Sequence, residues 1–492
     1  MRNMKSISVA STSNEELSVE ELPEGWIATT LNDLVSLKKN AIKRGPFGSA
    51  IKKSFFVPEG YKIYEQKNVI YNDFKVGNYF ISQEKFRDLA DFEIHPGDFL
   101  ISCSGTIGKI ALVPSGIERG IINQALLKIT LNEEKILPKY FFFLYKSERF
   151  QKKVLGNTRG SAMQNISSVS DLKKIPILLP PLAEQEHIVA RVEALLSQVN
   201  AARERLSRVP LIMKKFRQAV LAAACEGRLT EEWRESCKDI ETSSDLFSKI
   251  QTCISQKYFE SCENAKMSGG RKIKDERKNK KSEKPVIDLP ELPDTWNYFR
   301  LEELSHLITD GTHITPEYLD KGIPFLSVKN VRPFSFRLGN IKLISPEEHY
   351  SINQRCNPEL HDILYTKVGS YGYAVQNNLK YPFSLFVSVA LIKPVKEYFI
   401  PDYVEIVMNS PKVFEQAIDR ISGSGTPDLH LIEIRDFRIP LPPLAEQHEI
   451  VRRVNALFER ADQIEQQVVA AIKRTEALTQ AVLGKAFRGE LR

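Results

Sequence analysis

Leu179-Pro180-Pro181-Leu182-Ala183-Glu184-Gln185 returns, residue for residue, as Leu441-Pro442-Pro443-Leu444-Ala445-Glu446-Gln447. Seven consecutive identities at an offset of 262 in a chain of 492 residues mark one unit used twice. The frame extends outward from this stretch. Leu22-Pro23-Glu24-Gly25-Trp26 reappears as Leu292-Pro293-Asp294-Thr295-Trp296, Lys67-Asn68-Val69 as Lys329-Asn330-Val331, and Asp98 to Gly108 corresponds to Asp362 to Gly372. Between these markers the halves agree only sparsely, so a shared frame carries different contents.

After each Pro-Pro the chain turns to Ala, Glu, Gln, Arg and Leu, behind a proline that suits a helix start. Apolar residues follow at Ile188, Val192, Leu195, Val199, Ala202, Leu206, Val209, Met213, Phe216 and Val220, alternately four and three apart, which is a coiled-coil seam. Ile450, Val454, Leu457, Ala461, Ile464, Val468, Ala471, Thr475, Leu478 and Val482 repeat it. One helix cannot bury so narrow a stripe alone, so two long helices packed on each other are expected. The seam from 188 to 220 is about 48 Å long at ~1.5 Å per residue, with a kink or break expected at Pro210.

The fold class read from this pattern is α+β: two globular α/β domains at 22–178 and 292–440, separated by long helices at 179–229 and 441–492, a pseudo-twofold internal repeat. Strands are expected at Asp98–Cys103, Ile107–Val113 and Ile121–Leu131, the first two joined by the turn Ser104-Gly105-Thr106. A helix is expected from Pro138 to Val154, with the aromatic run Tyr140 to Phe143 in the core. Residues 1–21 read as a flexible N-terminus. Residues 230–291 read as a polar and basic linker, disordered from Ser268 to Lys284.

Lys and Arg number 69 against 62 Asp and Glu, a net charge of +7, but Arg271 to Lys284 alone holds +5 of it. Global charge therefore names no polyanionic partner, and any such claim rests on local patches. Six cysteines without a Cys-x-x-Cys pair argue against both a zinc module and a disulfide scaffold, and fit a reducing cytoplasm. No run of 18 apolar residues occurs, so no membrane span is expected.

Catalytic constellations fail on context. Ser104 to Lys109 approaches a phosphate loop, but Cys103 stands where Gly is needed and Ile110 where Ser or Thr is needed. Ile421 to Gly425 resembles a methyltransferase glycine turn, yet Thr426-Pro427 follows where a helix should begin. The Asn-Pro-Pro-aromatic signature of amino-methyltransferases is missing. Glu133-Glu134-Lys135 and Asp171-Leu172-Lys173 match the short acidic-x-lysine nuclease pattern, which random sequence supplies often, and the eight histidines show no ligand spacing. No catalytic residue and no metal site is read.

Contact with DNA has better support. Between Leu34 and Lys53 there are six basic residues and no acidic one, Lys38, Lys39, Lys43, Arg44, Lys52 and Lys53, and they surround the turn Gly45-Pro46-Phe47-Gly48-Ser49. Phosphate contacts need cations on a loop where backbone approaches closely. The candidates in the first half are Lys43, Arg44, Phe47, Ser49, Lys52, Lys53, Lys67, Asn68, Ser104, Thr106 and Lys109. The corresponding stretch of the second half, Thr309 to Pro316, is polar rather than basic, and its side chains suit either base edges or a capped turn. The candidates there are Thr312, His313, Thr315, Lys329, Asn330, Lys367, Ser370 and Tyr371.

The order of globular unit, Pro-Pro-Leu-Ala-Glu-Gln helix, second unit and second helix resembles the specificity subunit of type I restriction-modification enzymes. Gly45-Pro46-Phe47-Gly48-Ser49, Asp310-Gly311-Thr312-His313, Lys67-Asn68-Val69, Gly425-Thr426-Pro427 and the tail from Ala481-Val482-Leu483 to Gly489-Glu490-Leu491 match that family's recurring pieces, while Gln164-Asn165 departs from the Thr426-Pro427 of the second copy. The resemblance implies two target-recognition domains, each reading half of a bipartite asymmetric site on double-stranded DNA. It also implies that the helices form an antiparallel coiled coil that sets the spacing of the half-sites and docks two modification subunits. Those subunits would bring S-adenosylmethionine, and restriction subunits would bring ATP and Mg, leaving this chain without cofactor, catalysis or membrane contact and in the cytoplasm. A coiled-coil scaffold that never touches DNA, and a self-contained methyltransferase or nuclease, remain the rival classes.

Overall fold

In the computed structural model, which describes residues 23–155, 166–237, 241–267, 282, 288–421 and 425–491, the duplicated Pro-Pro motif opens two helices, Leu182–Cys225 and Leu444–Ala486. The chain divides into two units. One runs to Ser207 and regains the chain at Val469; the other is Arg208–Val468. Each unit thus holds one globular domain, the first half of the helix that follows it and the last half of the other long helix.

In the first unit, strands Ile42–Arg44, Leu126–Ile129, Phe99–Ser102 and Ile110–Leu112 form one antiparallel sheet in that order. A second sheet orders Phe56–Val57, Phe80–Ile81, Tyr61–Tyr64 and Gly120–Ile122, with the last pair parallel. The expected strand Ile121–Leu131 is therefore two strands in two sheets. The break falls at Asn123, whose Oδ1 accepts the Ala125 N–H at 3.0 Å, an Asx turn that redirects the chain. The expected helix to Val154 is likewise two, Pro138–Lys146 and Glu148–Leu155, because Ser147 is extended and caps the second, its Oγ accepting from Phe150 N. Tyr140 and Phe141 are buried, and Phe142 and Phe143 pack at the edge of the same core.

The second unit repeats the first sheet as Ser305–Asp310, Val389–Pro394, Ile363–Thr366 and Ala374–Gln376, and the second as Lys342–Ile344, Ile323–Leu326 and Ser384–Leu385. Its major difference lies in 230–291, where the polar linker reading is corrected by a 25-residue helix, Ser243–Met267. Leu246, Ile250 and Ile254 recur every four residues and are buried in the unit's main core, while Phe247 stacks on Phe299 with centroids 4.1 Å apart. A single apolar stripe in a charged background suffices for a helix packed along one face. Residues 1–21, most of 268–284, the Gln164-Asn165 pair and most of Ile421 to Gly425 lie outside the described residues.

The repeated motifs are one clasp built twice. Ile27–Thr30 pairs antiparallel with Pro176–Leu179, as Asn297–Arg300 does with Arg438–Leu441. This places Trp26 Nε1 2.9 Å from Glu184 Oε1 and Trp296 Nε1 2.7 Å from Glu446 Oε2. Gln185 accepts from Leu137 N and donates to the Lys135 and Pro180 carbonyls, and Gln447 accepts from Ile400 N and donates to Tyr398 and Pro442. Each glutamine thereby ties a long helix to the helix that starts at Pro138 or Pro401. The far ends match too. Gly227 (φ 75°) and Gly489 (φ 74°) leave their helices in the left-handed region, where a Cβ would lie 2.4 Å from Pro293 and 2.5 Å from Pro23 respectively.

Within each unit the two helix segments run antiparallel. In the first, Ile188 and Val192 share a core with Leu483, Ala486 and Phe487, while Arg203 reaches back to Glu476 at 3.3 Å. In the second, Val220 and Leu221 share a core with Ile450 and Val454, while Arg217 binds Asp462 at 2.7 Å and Glu465 at 2.9 Å. Seam residues Ile188, Val192, Ile450, Val454 and Val468 are buried, and Leu195, Val199, Leu206, Phe216 and Leu457 half-buried, but Ala202 is exposed. Ile464 and Leu478 also depart from the expected seam, being 42% and 53% exposed. Glu465 and Thr479 take their places. A straight helix of ~3.6 residues per turn drifts about 20° per heptad against a 3.5 repeat, so the contact stripe slides forward by one residue along the second helix. Of the kink or break expected at Pro210, the break does not occur: the first helix is continuous through it.

Candidate nucleic-acid interface

In both domains the edge strand of the main sheet is followed at once by a glycine that packs on neighbouring backbone. A Cβ on Gly45 would lie 1.8 Å from the Asn123 carbonyl oxygen, and one on Gly311 would lie 1.9 Å from that of Leu385. Only glycine allows this approach, and it fixes where the following loop emerges. Beyond Gly45, two short 3-10 turns, Gly48–Ala50 and Lys53–Phe55, carry the basic stretch. Arg44, Ser49, Lys52 and Lys53 are exposed, and Phe47 is 87% exposed. Lys43 is held back: its Nζ donates to Asn40 Oδ1 at 3.2 Å, lies 3.7 Å from Asp91 and sits over the Phe92 ring.

The two hairpin loops share one construction. Ser102 Oγ accepts from Lys109 N at 2.9 Å, and Thr366 Oγ1 accepts from Tyr373 N at 3.0 Å. Gln66 Nε2 donates to the Ser104 and Thr106 carbonyls, leaving the Ser104, Thr106 and Lys109 side chains exposed. Lys109 also borders a cavity of about 1140 Å³ with Phe142, Lys146 and Arg203. Burial, and then the charge of Lys109, lowers the pKa of Lys146, the sign of a locally positive rim.

Three candidate contacts are corrected. Asn68 is buried, accepting from Glu65 N at 2.7 Å and donating to the Asp73 and Val76 carbonyls. Asn330 is buried and makes the same kind of turn with Ser327 N and the Arg337 carbonyl. A polar residue repeats here because an irregular turn needs its backbone groups satisfied. Lys367 is buried between Asp310 and Asp428, at 3.6 and 3.5 Å. The neighbouring Lys67 is tied to Glu65 at 2.8 Å, whereas Lys329 is exposed. Tyr371 stacks on Phe414 beside exposed Ser370. Thr312 Oγ1 accepts from Ile314 N, the capped-turn alternative, while His313 and Thr315 are exposed.

Sequence reasoning missed Arg355. Its Nη2 binds Oδ1 of Asp310, a buried carboxylate that also receives His313 Nε2 at 3.3 Å. The pairing spans 45 residues, and no local pattern announces it. It also missed a cluster outside the interface. Cys253, His306 and Glu397 each bring one potential ligand atom within 4.8 Å of the others. Burial, and then Lys257 with other lysines, pushes the His306 pKa down to about 4. Those same lysines set a positive field against a cation. The nuclease-like triplets do not converge either: Asp171 is engaged by its own helix cap, Ser168 Oγ, and Lys135 donates to the Asp33 carbonyl.

Both halves of the chain, residues 23–209 and 293–474, match the family model of the type I restriction modification DNA specificity domain. The chain is 28% identical over 492 residues to the type I restriction enzyme EcoKI specificity subunit of Escherichia coli K12, covering 96% of this chain and 91% of that one. It is also 28% identical over 401 residues to the EcoBI specificity subunit of Escherichia coli, covering 81% and 74%. Among solved structures, a chain from work on assembly and conformational transition of a type I R-M system aligns over 96% of this chain and 99% of its own, with TM-score 0.58 and 20% identity. The HsdS subunit from Thermoanaerobacter tengcongensis aligns over the same shares with TM-score 0.50 and 19% identity. These two likenesses bear on the fold.

Proposed function

Because this chain belongs to the type I restriction-modification DNA specificity family, we propose that it acts as the DNA sequence-specificity subunit of such a complex, each domain reading one half of a bipartite site. The observation that carries this reading is the duplicated frame. Two domains share sheet order, the Trp–Glu clasp, the loop-positioning glycine and the hairpin hydroxyl, yet differ in the loop residues those features present. A shared scaffold with divergent loops suits common partners and two different base sequences. The exposed Arg44, Lys52 and Lys53 supply phosphate contacts in the first domain, and the hairpin residues Ser104, Thr106, Lys109 and Ser370 offer side chains to the duplex. The antiparallel helix segments hold the domains in register with the half-sites and dock two modification subunits. Methyl transfer from S-adenosylmethionine and ATP-driven, Mg-dependent cleavage belong to those subunits and to restriction subunits, in the cytoplasm where the DNA is. No helix among the described residues is long and apolar enough to cross a membrane.

The test is co-purification with the modification subunit, mapping of methylated adenines across a genome, and exchange of residues 22–178 for another member's equivalent. One half of the methylated motif should change while the other stays. A change in both halves, or methyl transfer by the rigorously purified chain alone, would sink the proposal.

A further inference from the structure

We infer that Arg355 reads a guanine in the half-site addressed by the second domain. The inference rests on the function proposed above and starts from a charge reversal. Arg44 and Asp310 occupy the same place: each is the last residue of its edge strand, opposite Leu127 or Ala390, and precedes the loop-positioning glycine. Asp91 and Arg355 are equivalent in turn. Each lies seven residues before a buried aspartate, Asp98 or Asp362, that accepts a backbone N–H at 2.8 Å from three residues upstream. In the first domain the cation that the carboxylate meets is Lys43, the residue before Arg44, at 3.7 Å from Asp91. The second puts the carboxylate on the strand and the cation across from it.

The reversal changes what the cation can do. Asp310 is 2% exposed, whereas the Arg355 side chain is 54% exposed. Its backbone is fixed, with Arg355 N and Cys356 N both donating to the Ile352 carbonyl and Cys356 buried. Among the described residues Asp310 is the acceptor that holds the guanidinium, and it holds one edge. Exposed His313 shares the same Asp310 oxygen, so the half-exposed guanidinium and the imidazole meet at one carboxylate on the surface. Arginine's planar fork matches the O6 and N7 acceptors that guanine presents in the major groove, and a guanidinium already anchored loses little freedom on binding. Lys367, the other cation at Asp310, is buried and has no such reach. A purely structural role, locking the Asp310–His313 turn to the segment after helix Pro346–Asn353, would need no base.

The full complex with its modification subunits, carrying Arg355→Ala or Arg355→Lys, is compared with wild type by methylome mapping and by methylation of oligonucleotides substituted at each recognised position. Discrimination at one G·C pair of the second half-site should fall roughly 5- to 150-fold, with the first half-site unchanged. The lysine variant keeps the charge and the Asp310 pair, so it decides the matter if the alanine variant folds poorly. Unchanged discrimination in both variants, or in the lysine variant alone, would overturn the fork reading. So would a uniform loss across all sequences, the mark of a phosphate contact. A wild-type complex with no two-part motif would instead overturn the functional reading beneath it.

Discussion

Replacing Glu446 by alanine is expected to destabilise the second unit far more than replacing Glu184 destabilises the first, although the two residues occupy the same place in the repeat. Glu446 is fully buried and accepts from Trp296 Nε1, from Thr230 Oγ1 at 2.7 Å and from Arg234. Its removal strands a guanidinium that is only 17% exposed, together with an indole N–H and a hydroxyl. Breaking a buried ion pair from one side costs about 3–5 kcal/mol. Glu184 is half-buried and its carboxylate takes the Trp26 indole at 2.9 Å, a bond to a charged group worth about 1.5 kcal/mol in this more open setting. For units of this size each kcal/mol moves the midpoint by roughly 2–4 °C. Glu446→Ala should therefore lower the melting of Arg208–Val468 by roughly 6–20 °C, and Glu184→Ala that of the other unit by roughly 3–6 °C. Calorimetry on the full chain, with hydrogen exchange assigning each transition to its unit, makes the measurement. Equal shifts, or a Glu446→Ala shift below about 3 °C, would show that the carboxylate network does not hold the clasp.

Joint replacement of Arg44, Lys52 and Lys53 by alanine should weaken binding of the complex to all DNA sequences and flatten the log–log salt slope by about 2.7, at about 0.9 per lost phosphate contact. Lys43→Ala alone should move it by less, because Lys43 is already engaged by Asn40 and Asp91; an unchanged slope in the triple variant would mean a merely solvated surface. Glu405 is pushed up to about 7 by burial, against a backbone hydrogen bond from Gln376 that lowers it. Raised in the folded state, it contributes stability that is fully present below about pH 4.5 and is lost as pH rises through about 7, a change on the order of 3 kcal/mol. Unfolding midpoints of the second unit across that window should show the loss, and Glu405→Gln should remove it; a variant with the wild-type pH profile would refute the assignment.

What was legible in the sequence follows from what repeats for packing reasons. Apolar seams must recur at helical spacing to be buried, and the Pro-Pro-Leu-Ala-Glu-Gln stretch carries a glutamate for an indole and a glutamine for three backbone groups. The same logic misled at Asn68 and Asn330. A repeated polar residue reads as a contact surface when its amide in fact closes a turn. The helix Ser243–Met267 was hidden because one stripe of three apolar residues barely alters a charged composition. Ile464 and Leu478 left the seam because a strict heptad count ignores the drift of a straight helix. Most of the candidate interface stayed illegible for a different reason. Whether a cation faces solvent or a carboxylate depends on strands that meet far apart in sequence, as Arg355 and Asp310 do.

The division of the long helices between two units also orders events during synthesis. Arg208–Val468 is contiguous, so its core can close as soon as that stretch has left the ribosome. The first unit emerges earlier yet lacks Leu483, Ala486 and Phe487, which complete its core from the far end of the chain. At about 5–20 residues per second, the segment between Ser207 and Val469 takes roughly 13–52 s to make. For that interval the part of the core that Leu483, Ala486 and Phe487 cover is open, so the domain made first is the one that finishes folding last and stays exposed to chaperones and to like chains.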